Sequence, residues 1–481
     1  MIFVNVLKII FSILGVVGTT FLLPIITAIF CSEFSVLPAF IIPMICSWIL
    51  AAVVLIFLKK TQFVLSTRSA FVSVALSWIC ISIFGAIPLY ASGAIPSITD
   101  AVFESVSGFS TTGSTILQDI ESLPRSINLW RCQTHWLGGM GIVALTVALL
   151  PILGVSGFQL IKAESTGPEK GKLTPKITTT AKALWFIYFG LTVLQTICLR
   201  IAGMDFIDAL SHAFSTVGTG GFSTRNTSIG AYNSALIDWI CTVFMFLAGI
   251  NFSMYYYIIT KKPEEVGKDS EFKAYIIINI VAILSLTFFE MHRFGGFFNS
   301  LRYAAFQTTA ILSTTGYGTS DYTLWSPASQ IIIFSLFFIG GCSGSTSGGV
   351  KVIRWVVVSK QLQNEMKRML HPHGIFSIRI NQRAGRKDVV FAVTAFFYLY
   401  IILVFCTTLF ASIFGLDILS SFTGAISMIG NVGPAYGALG PSNNYAFLAT
   451  PIKWWYCFAM LAGRLELFTM LIFFTRDFWR K

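Results

Sequence analysis

Long apolar stretches alternate along this chain with short polar joints. Stretches free of Asp, Glu, Lys and Arg cover Ala70–Thr99, Cys132–Ile161, Tyr322–Val350 and Val389–Leu416. Each exceeds the ~20 residues a helix needs to cross hydrocarbon, so the pattern predicts spanning helices. The first apolar region, roughly 4–58, carries one early charge, Lys8, and has no small-residue cleavage motif. It reads as a retained helical hairpin and not a signal peptide. After it, the order span, half-length segment, turn, span recurs four times, as expected of an internal repeat. The expectation is an all-α integral membrane protein with ten transmembrane helices: a hairpin over 1–62 and four membrane-pore-membrane units over 63–165, 166–265, 266–370 and 371–481.

The joints that follow the half-length segments resemble one another. They read Ser110-Thr111-Thr112-Gly113-Ser114, Gly218-Thr219-Gly220-Gly221-Phe222, Ser313-Thr314-Thr315-Gly316-Tyr317-Gly318 and Gly430-Asn431-Val432-Gly433-Pro434. Gly113, Gly221, Gly316 and Gly433 are separated by 108, 95 and 117 residues, so the units are similar in size. Glycine admits backbone conformations that turn carbonyl oxygens toward a common axis, and a ring of carbonyls can replace the water shell of a potassium ion. A half-length helix entering with a capped N-terminus would aim its partially negative C-terminal end at such an ion. Asp100, Asp208 and Asp417 are the expected caps, with Tyr303 at the corresponding place in the third unit. A surface hairpin would also carry Asp and Gly, but these joints lie between spans, where open backbone is accepted around a cavity.

Composition fixes the solvent. Of 481 residues 55% are apolar and 11% charged, and the mean hydropathy is +0.76. That is too little polar surface to cover a soluble globule. The net charge of +12 reports orientation rather than nucleic acid, because Lys and Arg concentrate in alternate joints: 59–69, 162–182, 261–273 and 351–388. The intervening joints are poor in cations (Arg125, Arg225, Arg293, Arg302), and 413–452 has none. The basic joints and both termini are therefore expected in the cytoplasm, with the Gly turns facing outside a cytoplasmic (inner) membrane. Nine scattered cysteines read as buried free thiols, and His371-Pro372-His373 lacks the spacing of a metal site.

Ser313-Thr314-Thr315-Gly316-Tyr317-Gly318 is similar to the filter of tetrameric potassium channels, and the other three turns are degenerate forms of it. With His135-Trp136-Leu137-Gly138-Gly139-Met140-Gly141, Lys172-Leu173-Thr174-Pro175-Lys176, the stretch 340–354 and Leu461-Ala462-Gly463-Arg464-Leu465-Glu466, the chain resembles the Trk/Ktr/HKT superfamily of potassium transporters. The extra hairpin and the length favour the TrkH-like branch. The resemblance implies four pore units around one channel, a homodimer, and a cytosolic TrkA-like nucleotide-binding ring. ATP/ADP or NAD(H) would sit on that partner, with no organic cofactor in this chain. It also makes Thr111, Thr112, Gly113, Thr219, Gly220, Gly221, Thr314, Thr315, Gly316, Asn431, Val432 and Gly433 the potassium-binding filter. Glycine rather than serine at 113 favours potassium. Asn431 and Pro434 depart from the Thr-Gly form.

Two features suggest a gate. Gly340, Gly341, Cys342, Ser343, Gly344, Ser345, Thr346, Ser347, Gly348 and Gly349 interrupt an apolar run with ten small residues, which hold helix poorly. They form either an unwound loop beneath the filter, as the resemblance implies, or a seam of close helix packing through Gly340, Gly344 and Gly348. Arg464 stands inside the last span. At ~5 Å and an effective dielectric of ~20 it would repel a potassium ion by roughly 3 kcal/mol, making it an electrostatic barrier; the alternative is an ion pair, with Glu104 the candidate partner. Glu104 itself either adds field near the pore mouth or bonds neighbouring backbone, and Asn251 either faces the pore or bonds between helices. The nine cations in 351–388 serve a regulatory protein, or orientation and membrane lipid.

The motifs of enzymes are missing: no His-Glu-x-x-His and no phosphate-cradling Gly-Lys-Ser/Thr. The functional expectation is potassium uptake through a channel-like pore, with a sodium- or proton-coupled symporter as the alternative.

Overall fold

The computed structural model describes residues 2–58, 66–141, 177–374, 376–381, 383–384 and 387–480. Residues 142–161 of the Cys132–Ile161 span, the segment 172–176 and Lys59, Lys60, Lys162 and Lys170 lie outside the described residues.

Among the described residues the regular structure is helical, apart from a ribbon of two-residue strands, Arg379–Ile380 against Arg383–Ala384, which the all-α expectation did not include. The N-terminal hairpin consists of α1 (Ile2–Thr20), α2 (Leu22–Phe30) and α3 (Leu37–Phe57). It seats on the next unit through aromatic packing, with Phe21 4.7 Å from Trp130. Four sequences of helix, shorter helix, turn and helix follow. They are α4 (Thr67–Ala91), α5 (Ile98–Phe109) and α6 (Arg125–Gly139); α7 (Ile177–Ile201), α8 (Phe206–Val217), α9 (Ala235–Ala248) and α10 (Phe252–Ile259); α11 (Ser270–Glu290), α12 (Phe297–Leu312) and α13 (Pro327–Leu336); and, after α14 (Val352–Leu370), α15 (Lys387–Ile413), α16 (Ile418–Gly430), α17 (Thr450–Arg464) and α18 (Phe468–Leu471).

Among the described residues six helices are long and apolar enough to cross a membrane, or eight if two bent pairs each count as one span. Both bends have local causes. Asn251 caps α10, its Oδ1 accepting the Ser253 N–H at 2.9 Å, and α10 leaves α9 at 90°. Glu466 and Leu467 both take positive φ (61° and 55°) where α17 turns through 118°. The stretch Tyr322–Val350 is likewise not one straight span: α13 ends at Leu336 and irregular backbone follows.

Asp417 does cap α16, accepting the Ser420 N–H at 3.0 Å. The caps of α5 and α8 are Ser97 and Asp205, three residues before the expected Asp100 and Asp208. Those two lie in the first turn and are paired, Asp100 with Lys453 (2.6 Å) and Asp208 with Arg225 (3.0 Å). In the third unit Gly296 opens α12, and Tyr303 stacks on Phe294 at 4.3 Å. The nine cysteines are free, but only Cys132, Cys241, Cys342 and Cys457 are buried; Cys46 and Cys406 are exposed on long apolar helices, facing what lipid would occupy. Among the described residues no group of His, Cys, Asp and Glu is arranged to hold a metal ion.

The units close on themselves. The first and second meet where α6 packs on α8, and the second and third where α9 packs on α12. Between third and fourth, the Tyr322 hydroxyl donates to Ala435 O and the Tyr436 hydroxyl to Gln330 O, both at 2.8 Å. Between fourth and first, α17 packs on α5.

Candidate functional site

Each shorter helix ends in the same backbone motif. A left-handed residue stands just after the cap in three units, Thr111 (φ 56°), Thr219 (54°) and Thr314 (56°), and at the cap itself in the fourth, Asn431 (52°). The next N–H reaches back to the carbonyl five residues before it: Thr112 to Ser107 (2.9 Å), Gly220 to Ser215 (2.8 Å), Thr315 to Ala310 (2.8 Å) and Val432 to Ser427 (3.0 Å). This is a Schellman-type end, which satisfies carbonyls the helix leaves open. Then comes a glycine, again with positive φ: Gly113 (81°), Gly221 (85°), Gly316 (73°) and Gly433 (99°). The helices thus deliver the negative ends of their dipoles to the four turns.

The four turns abut in a closed cycle. A methyl group built on Gly113 would fall 2.0 Å from Gly220 O, on Gly221 2.0 Å from Thr315 O, on Gly316 2.1 Å from Val432 O, and on Gly433 2.5 Å from Thr112 O. Every glycine faces the carbonyl of the residue that precedes the glycine of the next turn, and the last returns to the first. The predicted residues Thr111, Thr112, Thr219, Thr314, Thr315, Asn431 and Val432 are all fully buried there. Thr111 Oγ1 and Asn431 Oδ1 have no hydrogen-bond partner among the described residues. The Asn431 amide crosses to the first turn, donating to Thr112 Oγ1 at 3.0 Å.

Residues 340–349 form a loop and not a helical seam: Gly344 and Gly349 have φ of 73° and 70°. The loop lies against the Thr and Asn end of the turns. Gly348 N donates to Thr314 Oγ1 (2.6 Å), and the Thr346 hydroxyl bonds Val217 O at the end of α8 (2.9 Å). Gly348 also packs on the fourth turn, where a methyl would fall 2.6 Å from Gly430 O. At the loop's other side Glu271 accepts the N–H groups of Ser343 (2.7 Å) and Ile353 (3.0 Å). Gly344 O accepts from Phe252 N, and Gly344 itself packs on Asn251, so Asn251 shapes the loop's seat.

Arg464 reaches this loop from the end of α17. It donates to Thr346 O (2.8 Å) and to Gly138 O and Gly139 O at the end of α6 (2.6 and 2.7 Å). Its guanidinium therefore ties the loop to the first and fourth units. Glu104 is not its partner: it is paired with Arg131 at 2.7 Å, both side chains being fully buried. Glu466 pairs with Arg354 at the start of α14, and Lys351 Nζ donates to Ser347 O, so the loop is flanked by charged side chains that its sequence does not contain.

The sequence model of the family described as "TrkH: Cation transport protein" matches residues 36–481. The chain is 40% identical over 422 residues to the Trk system potassium uptake protein TrkH of Halomonas elongata, covering 87% of each chain. It is 38% identical over 429 residues to the Trk system potassium uptake protein TrkH of Escherichia coli, covering 88% of each. The crystal structure of the potassium transporter TrkH from Vibrio parahaemolyticus superposes with a TM-score of 0.88 at 33% identity, over 100% of both chains. These relatives are transporters and not enzymes. With a family match over most of its length and relatives above a third identity on nearly nine-tenths of it, the chain belongs to the TrkH family of cation transport proteins.

Proposed function

We propose that this chain takes up potassium across the cytoplasmic membrane through a channel-like pore. The observation that carries the reading is the closed cycle in which each filter glycine faces the carbonyl of the neighbouring turn. Residues 111–113, 219–221, 314–316 and 431–433 alternate left-handed and ordinary backbone, which lets successive carbonyls turn the same way, and a ring of four offsets the loss of an ion's hydration. The unpartnered Thr111 Oγ1 and Asn431 Oδ1 supply further oxygens beside it.

The surrounding architecture is four membrane-pore-membrane units over 63–165, 166–265, 266–370 and 371–481 with the hairpin over 1–62, ten crossings in all, and both termini with the basic joints in the cytoplasm. The loop 340–349 and Arg464 form the gate: a cation held at the filter's inner end by three carbonyls occupies the path of a permeating cation and opposes it. Two copies assemble, and a cytosolic nucleotide-binding partner acts on the gate. The relatives' description as Trk system proteins supports a multicomponent system.

The test is the purified chain in liposomes under defined gradients of potassium, sodium and protons. A reversal potential that follows potassium supports the channel. One that shifts with sodium or proton gradients replaces it by a coupled symporter, and absence of cation flux would falsify the reading. Because only the third turn keeps the Thr-Thr-Gly-Tyr-Gly form, sodium is expected to be discriminated against but not fully rejected.

A further inference from the structure

The pair Glu104–Arg131 is buried at 0% and 1% side-chain exposure and lies behind the first turn. Taking two charges out of water is costly, and their attraction repays that only when the remaining donors and acceptors are satisfied. Here they are. Glu104 Oε1 accepts from Arg131 Nε (2.9 Å) and Nη2 (2.7 Å), and the Thr115 hydroxyl lies within reach of both carboxylate oxygens (2.9 and 3.1 Å). Oε2 accepts the Ile116 N–H at 3.0 Å. Arg131 Nη1 donates to Asn128 Oδ1 (3.0 Å) and to Ser223 O (3.4 Å), and its guanidinium lies 4.4 Å over the Phe222 ring, which stacks on its other side against His135 at 4.2 Å.

These contacts fall on two units, and a third joins them through Thr115. Thr115 and Ile116 continue the irregular segment that leaves Gly113; Phe222 and Ser223 continue the one that leaves Gly221. Thr115 O accepts from Tyr445 N (2.8 Å), and the Tyr445 hydroxyl donates to Gly433 O (2.7 Å) in the fourth turn. One carboxylate and one guanidinium thus join the exit segments of the first two turns directly, and that of the fourth through Tyr445. Where selectivity rests on cavity size, a ring of carbonyls prefers the larger ion because its frame resists drawing inward around the smaller one.

We propose that Glu104–Arg131 is a specificity-determining buttress, which sets the spacing of the first, second and fourth turns and so the ratio of potassium to sodium passage, without touching the ion. This rests on the filter reading given above. The test measures the potassium-to-sodium permeability ratio from reversal potentials in liposomes for three variants. E104Q/R131Q replaces the ion pair with neutral hydrogen-bonding side chains and strands no charge, and R131K keeps the charge but loses the planar fork. R125Q alters an exposed pair with Asp205 and serves as the control. The expected result is a ratio lowered about tenfold (about 1.4 kcal/mol) in E104Q/R131Q, lowered less in R131K, and unchanged in R125Q. Should the double variant not insert, R131K decides. A wild-type ratio in the variants that carry potassium overturns the buttress, whereas a parent protein that does not discriminate overturns the filter reading instead.

Discussion

Replacing Gly221 by alanine separates two costs that glycine normally hides together. The residue has φ of 85°, and an alanine in left-handed backbone costs about 1–2 kcal/mol wherever it stands. The new methyl would also sit 2.0 Å from Thr315 O. Carbon does not approach oxygen closer than 3.0 Å, so that carbonyl must retreat by about 1 Å. Misplacement by about 1 Å costs on the order of 100-fold where function depends on pre-positioned groups. Gly93 provides the comparison: its φ is 77°, yet an added methyl meets nothing within 4 Å. Gly93→Ala should lower thermal stability by about 1–2 kcal/mol and leave potassium flux at the parent level. Gly221→Ala should cost at least as much stability and reduce potassium flux into liposomes by about 100-fold. Normalising flux to inserted protein separates lost conduction from lost folding. Parent-like flux through Gly221→Ala would refute the claim that the Thr315 carbonyl belongs to the ion's path.

Further substitutions probe the proposed gate and the helix that carries the fourth turn. Arg464→Ala removes the donor to Thr346 O, Gly138 O and Gly139 O; basal potassium flux without any partner should rise, by up to about 100-fold if the full roughly 3 kcal/mol of repulsion is relieved, and unchanged flux would remove Arg464 from the gate. Gly348→Ala drives a methyl against Gly430 O and Asn431 Cβ (2.6 and 2.8 Å), so the loop must leave the turns and basal flux should rise, while Gly267→Ala, with nothing within 4 Å, should not change it. Asp417→Ala deletes the cap of α16 and should lower stability in a thermal melt by about 1 kcal/mol.

What the sequence made legible follows from how locally each feature is encoded. The turns could be found because glycine answers a demand of its own backbone, and the same demand recurs in each unit: all four glycines expected there have positive φ. Cap positions lie one turn before those expected in two units because Ser97 and Asp100, like Asp205 and Asp208, suit a helix start about equally well; the three-residue offset is decided by which side chain meets a free N–H. Arg464's neighbours were beyond reach, since its acceptors are backbone carbonyls at 138, 139 and 346, which carry no residue signature. Arg131 was missed for another reason. It stands immediately before the uncharged stretch that begins at Cys132 and disappears at the margin of a hydropathy window, although an Arg–Glu combination in two helices beside a predicted pore turn is a signal that pairing rules could have used.

Three threonines and one asparagine occupy the left-handed position that precedes each of the four turn glycines by two. A β-branched residue there is a backbone outlier, and such strain costs about 1–3 kcal/mol per site. Glycine would avoid that cost, as it does two residues later. The side chains explain what glycine would forfeit. Thr314 Oγ1 accepts the Gly348 N–H, and the Asn431 amide donates to Thr112 Oγ1 and to Met460 O (2.9 Å) on α17, the helix that ends in Arg464. The strained positions therefore supply contacts by which the carbonyl cycle is joined to the loop and to the helix that ends in Arg464. In the proposed transporter, a loop that shifts must break the Thr314 bond before it clears the path. The proposed filter and gate then meet at one shell of strained residues, and a change in loop position reaches the carbonyl cycle through direct contacts, the Thr314 bond and the packing of Gly348 on Gly430 and Asn431, rather than through the body of the protein.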